Sequence, residues 1–220
     1  MISQLKYNTV KLQLRDILFW LMAEKIFDPF RLVGGTALSL QLGHRESVDI
    51  DLFTEIPYGE VDFDAIDKHL KNNFEYVDSR KGPVAMGKSY FIGKSAEDCI
   101  KLDLYYTDPF IRPALVIDDI RLATLDEITA MKIDVVSRGA RKKDFWDLHE
   151  LLDFYSIPQM IRLHEERYPY SHDDDEIFRN FTNFEIADND FEPICLRGKY
   201  WELIKLDFVE AIETLNNEES

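Results

Sequence analysis

Apolar residues at helical spacing open the chain. Val10, Leu14, Ile17, Leu18, Leu21 and Met22 share one face of a helix predicted over 10–25, and Asp28-Pro29 closes it. Phe30 to Val33 reads as a short apolar strand. Gly34-Gly35 breaks it, Thr36 is placed to cap a helix to about Leu42, and Gly43 stops that helix. From Ser47 to Phe53 the pattern alternates, with Val48, Ile50 and Leu52 on one face and Ser47, Asp49, Asp51 and Phe53 on the other. A helix over Asp62–Asn73 follows. Strands are predicted at Phe74–Ser79, Val84–Ile92 and Cys99–Tyr106, with turns at Lys81-Gly82-Pro83 and Gly93-Lys94-Ser95. Thr124-Leu-Asp-Glu127 has the form of a capping box opening a helix to about Arg138. Further helices are predicted over Lys143–Tyr155, with Pro158 just past it, and over Tyr200–Leu215. The acidic run His172–Glu176 reads as a mobile loop.

This pattern divides near residue 118. Residues 1–118 form an α/β core, and 119–220 a helical C-terminal region packed on it. The chain has 220 residues and 45% hydrophobic content, enough for a sizeable core. Its formal charge of −16 excludes bulk attraction to a polyanion, so any nucleic acid needs a local basic patch or bound metal ions. Cys99 and Cys195 make neither a metal motif nor a disulfide framework. No apolar run approaches the roughly 20 residues of a membrane span, and Met1–Lys11 lacks a signal-peptide pattern. The expectation is a cytoplasmic protein with no membrane partner.

The candidate chemistry lies in the Gly-Gly-Thr turn and the Asp-x-Asp pair. Two carboxylates two residues apart on a strand project from one face and suit Mg²⁺ or Mn²⁺. Alone, such a pair is more often a solvated strand end. The preceding glycines change the balance, because backbone N–H groups at a helix start donate readily to a phosphate. Asp103, in the alternating strand Ile100-Lys-Leu-Asp-Leu-Tyr-Tyr106, is the candidate third ligand. Its alternative is a strand Asp paired with Lys101 or Lys88. Lys132 stands among Ile128, Met131, Val135 and Val136, either aimed into a site or snorkelling to the surface. Arg138, Arg141, Lys142 and Lys143 form the main basic cluster.

These residues resemble the polymerase-β type of nucleotidyltransferase: an apolar strand, Gly-Gly, a helix, then Asp-h-Asp and a later strand Asp. More narrowly, Gly34–Leu38 with His44–Phe53 resembles the first motif of the AbiEii/AbiGii toxin family. Asp126–Lys132 followed by Arg138-Gly-Ala-Arg-Lys-Lys-Asp144-Phe-Trp-Asp147-Leu resembles the family's second block. The likeness spans roughly residues 30 to 155.

The resemblance implies an α+β, polymerase-β-like nucleotidyltransferase fold, with a mixed central sheet flanked by helices and a helical C-terminal region. It also implies transfer of a nucleotidyl group from a nucleoside triphosphate, with a toxin role in a type IV toxin–antitoxin pair and an antitoxin protein as partner. The acceptor is left open between RNA (tRNA included), a protein side chain and a small molecule. On this reading Asp49, Asp51 and Asp103 are the metal ligands for Mg²⁺ or Mn²⁺ and, with Lys132 and Asp144, the catalytic set. Gly34, Gly35, Thr36, Arg45, Lys132 and Lys143 contact the nucleotide, and Asp147 ranks below Asp144. Two other classes stand beside the enzyme: a nucleotide sensor that has lost turnover, and a protein whose task is to pair with an antitoxin.

Overall fold

The computed structural model describes residues 4–80, 82 and 84–218. Lys81 and Pro83 of the expected Lys81-Gly82-Pro83 turn lie outside the described residues. The first apolar stripe forms α1 (Leu12–Ala23), with Leu14, Ile17, Leu18, Leu21 and Met22 buried. The next elements are β1 (Arg31–Leu32), α2 (Gly34–Leu42), β2 (Asp49–Thr54), α3 (Phe63–Asn73), β3 (Tyr76–Ser79), β4 (Gly87–Gly93) and β5 (Cys99–Tyr106). Val48, expected on the inner face, precedes β2 and is exposed, while Ile50 and Leu52 are fully buried.

The segment after Tyr106 holds a hairpin that the apolar pattern does not predict: β6 (Leu115–Ile117) and β7 (Ile120–Leu122). Its turn is Asp118-Asp119, both at positive φ, which Asp tolerates better than most residues. The sheet runs β3-β4-β5-β2-β1-β7-β6. The β2–β5 and β1–β7 pairs are parallel and the others antiparallel, so the sheet is mixed. Residue 118 sits at the hairpin turn, and the sheet therefore continues to Leu122.

Past the sheet come α4 (Leu125–Ser137), α5 (Lys142–Leu151), α6 (Ile157–Arg167), α7 (Asp174–Phe181), α8 (Glu185–Asp188) and α9 (Trp201–Glu218). Thr124 caps α4 as predicted. Glu127 does not close the box, however. It is buried and accepts the amides of Ile111 and Arg112 while pairing with Arg167, which ties α4 and α6 to the loop after β5. Pro158 stands past α5, as expected, and opens α6. The acidic run is not a free loop either: Asp173 caps α7, and Asp174–Glu176 fill its first turn, where the helix dipole favours carboxylates.

One continuous core joins both halves, from Leu14 and Leu38 through Leu102 to Phe145, Phe181 and Phe208. The C-terminal stretch returns to the sheet side: Leu196 N–H donates to His44 O at 2.8 Å and Glu46 N–H to Ile194 O at 2.9 Å. That strap fixes the segment leading into β2. Both cysteines are free, and among the described residues no helix is long and apolar enough to cross a membrane.

Candidate active site

The parallel register of β2 and β5 sets Asp49 opposite Lys101 and Asp51 opposite Asp103. Alternation puts all four on one sheet face, with Ile50, Leu52, Leu102 and Leu104 buried on the other. This face is the floor of a cleft of about 520 Å³. Gly34 and Gly35 form one edge, and α4 with the start of α5 forms the facing wall.

The two glycines are required by close approaches. Gly34 has φ +67°, and a Cβ there would lie 2.8 Å from Asp51 Oδ2; a Cβ on Gly35 would lie 2.3 Å from Arg45 Nη2. Bare Cα atoms thus let a carboxylate and a guanidinium press against the start of α2. The first-turn N–H groups of a helix lack intrahelical acceptors, and Gly34 and Gly35 line the cleft.

The carboxylate floor is electrostatically unbalanced. Burial, then the charges of Asp103 and Asp49, push the Asp51 pKa up to about 6. Asp103 Oδ2 accepts from Lys101 Nζ, as one sequence alternative held, whereas Lys88 pairs instead with Asp67 at 2.7 Å. Asp103 Oδ1 is buried and has no hydrogen-bond partner. Among the described residues no three His, Cys, Asp or Glu side chains close into a ready-made metal cage. The floor nevertheless fits a hard divalent cation, since it offers three carboxylates from two strands, one orphaned buried oxygen and like charges that a cation would relieve.

On the facing wall the buried acids are matched by cations. Lys132 does not snorkel: it is buried, with Nζ 2.7 Å from Asp144 Oδ1 and 2.6 Å from Asp147 Oδ2. Asp144 also accepts the Arg141 N–H through its second oxygen, so it is both the first-turn acid of α5 and the partner of Lys132. Asp147, ranked lower from sequence, is the hub. It is fully buried, takes Arg45 Nε at 2.6 Å and Nη2 at 2.8 Å, and lies 2.8 Å from His44 Nε2. Burial alone would raise its pKa; Arg45, Lys132 and the hydrogen bonds from His44 and Arg45 hold it well below the usual carboxylate range.

The remaining predicted residues divide. Arg45 lines the cleft, but its donors go to Asp147 and Glu46 O. Thr36 does not cap the helix. The helix begins at Gly34 with Val33 as its cap residue, and the Thr36 hydroxyl is buried behind the cleft against Ser47 Oγ and Asp49 O. It fastens α2 to β2 instead of meeting a phosphate. Lys142 is likewise buried, over the Trp201 ring and away from the cleft. Lys143 lines the cleft, and no salt bridge reaches it among the described residues. Burial, then Arg141 and Lys132, lower its pKa. Arg138 and Arg141 complete the basic mouth. Ile128, Met131, Val135 and Tyr168 add an apolar and aromatic wall. The α4 members follow from helical spacing, whereas nothing local marks Tyr168.

A family model described as "Nucleotidyl transferase AbiEii toxin, Type IV TA system" matches residues 16–214. The chain belongs to the AbiEii family. It is a nucleotidyltransferase, and the match extends past the two motif blocks into α9. No curated protein matches the chain. Solved structures similar in fold include the following two. The nucleotidyltransferase toxin MenT4 of Mycobacterium tuberculosis H37Rv has 14% identity and a TM-score of 0.59, covering 91% of this chain and 82% of that one. JHP933 of Helicobacter pylori has 17% identity and a TM-score of 0.56, covering 92% and 90%. They support the α+β nucleotidyltransferase architecture expected from the motifs.

Proposed function

We propose that this AbiEii protein transfers a nucleoside monophosphate from a nucleoside triphosphate to an RNA hydroxyl, tRNA being the acceptor class we favour, in the cytoplasm. The observation that carries this reading is the opposition of the two walls. Asp49, Asp51 and Asp103 share a face with unrelieved negative charge, and Lys143 lines the cleft with no salt bridge reaching it among the described residues. The cleft volume of about 520 Å³ lies within the ordinary range for a cofactor-sized ligand.

Asp49, Asp51 and Asp103 would hold Mg²⁺ or Mn²⁺. When bound, such an ion lowers the pKa of an attacking hydroxyl and offsets charge on the triphosphate. The chain's own groups do the rest. The amides of Gly34 and Gly35 and the Lys143 ammonium bind the β- and γ-phosphates. Lys132, oriented by Asp144 and Asp147, presents positive charge toward the reacting phosphate, where non-bridging oxygens gather charge in the transition state. The acceptor hydroxyl forms a bond to the α-phosphorus, the bond from that phosphorus to the bridging oxygen breaks, and pyrophosphate leaves. The hydroxyl proton passes to Asp103, whose Oδ1 has no other partner. Arg138 and Arg141 at the mouth meet the acceptor backbone. As an AbiEii toxin, the protein would be paired with a cognate antitoxin.

The test is incubation of the protein with each labelled triphosphate, Mg²⁺ or Mn²⁺, and total cellular RNA. Label is expected in an RNA species with the wild type and not with the D49N/D51N variant. Equal labelling by both would overturn the mechanism, and label in protein alone would overturn the acceptor.

A further inference from the structure

The floor of the cleft is a block of four side chains, two from β2 and two from β5. Three corners are carboxylates; the fourth is the ammonium of Lys101. It bonds Asp103 Oδ2 and leaves Asp103 Oδ1 unpartnered. The other nearby lysines are placed elsewhere: Lys88 lies on Asp67, Lys132 is held by Asp144 and Asp147, and Lys143 stands on the opposite wall.

We propose that the Lys101 ammonium takes the place beside Asp103 that a second divalent cation would occupy, so that the nucleotide-free protein binds one divalent ion and not two. The inference rests on the three aspartates being a cation site, as argued above. Three carboxylates and one ammonium leave a double negative charge, which one divalent ion cancels. A second ion would have to displace an ammonium tethered on the same strand face, and would leave surplus positive charge in a partly buried site. Lys101 is thus a positioning residue: it holds one oxygen of Asp103 and leaves the other for ligand or proton.

The experiment is a Mn²⁺ titration of the full chain without nucleotide, with unbound Mn²⁺ counted by electron paramagnetic resonance. One ion per chain is expected for the wild type and for K101R, which keeps the charge. Two are expected for K101M, the first bound about tenfold more tightly because a nearby positive charge is gone. K101Q is a second neutral variant, and melting curves confirm that each protein is folded. The D49N/D51N variant sets the zero. Two ions on the wild type, or one ion of unchanged affinity on both neutral variants, would overturn the role of Lys101 while leaving the cation site standing. No saturable Mn²⁺ on the wild type or on either neutral variant would overturn the site and this inference together.

Discussion

The floor and the facing wall of the cleft are built from the same residue types and behave oppositely. On the wall, Asp144 and Asp147 are matched by Lys132 and Arg45, with His44 against Asp147, and Asp147 is held far below its ordinary pKa. On the floor, Asp49, Asp51 and Asp103 face one ammonium, and Asp51 is pushed up to about 6. A buried pair with its partners in place is a fixed part of the fold. Like charges without enough partners are a cost that only a ligand removes. The paired acids of the wall are therefore scaffold that holds Lys132 and Arg45 in place, and the floor is the part kept for the cation.

The sharpest way to break this contrast is to neutralise each side. D49N/D51N should reduce nucleotide transfer by about a thousandfold or more, since the cation-binding carboxylates go while the fold stays. Labelled-triphosphate incorporation measures it, and a loss below tenfold would mean that the floor is not the reaction centre. D147N should instead cost about 3–5 kcal/mol of stability, because Arg45 and Lys132 would stay buried with less than their balancing charge. Urea unfolding measures that. The Asp147 contribution is fully present above pH 3.8, the ordinary value, and is lost as pH falls below it toward the depressed folded pKa.

Smaller effects sharpen the picture. D51N should stabilise the metal-free protein by about 1–3 kcal/mol at pH 7. An unfolded chain ionises this carboxyl near 3.8 and the folded chain only near 6, so native stability falls as pH rises through that window. The advantage of D51N should therefore vanish below about pH 4 in thermal melts. G35A should destabilise by about 1–3 kcal/mol, because its Cβ meets the Arg45 guanidinium. K143A should raise the KM for triphosphate by about tenfold with stability unchanged, the effect of losing one charged phosphate contact.

The floor was legible in the sequence because strand alternation has a period of two. Asp49 and Asp51 had to share a face, and Asp103 had to oppose the apolar stripe of its own strand. The glycine break before a helix was equally local. The wall was legible only in part. Lys132 and Asp144 stand in one sequence block, but Arg45 and Asp147 are 102 residues apart, and nothing local says that they meet. Thr36 was misplaced for a local reason: α2 starts at Gly34, two residues earlier than a Thr cap implies. The β6–β7 hairpin was missed because strands of three residues carry almost no periodic signal.

The most direct measurement is the melting temperature at pH 7 with and without Mn²⁺, for the wild type and D49N/D51N. If the floor is the cation site, near-saturating Mn²⁺ raises the wild-type midpoint by roughly 5–10 °C, while the variant starts higher and does not respond. An equal Mn²⁺ shift in both proteins, or none in the wild type, would contradict the account.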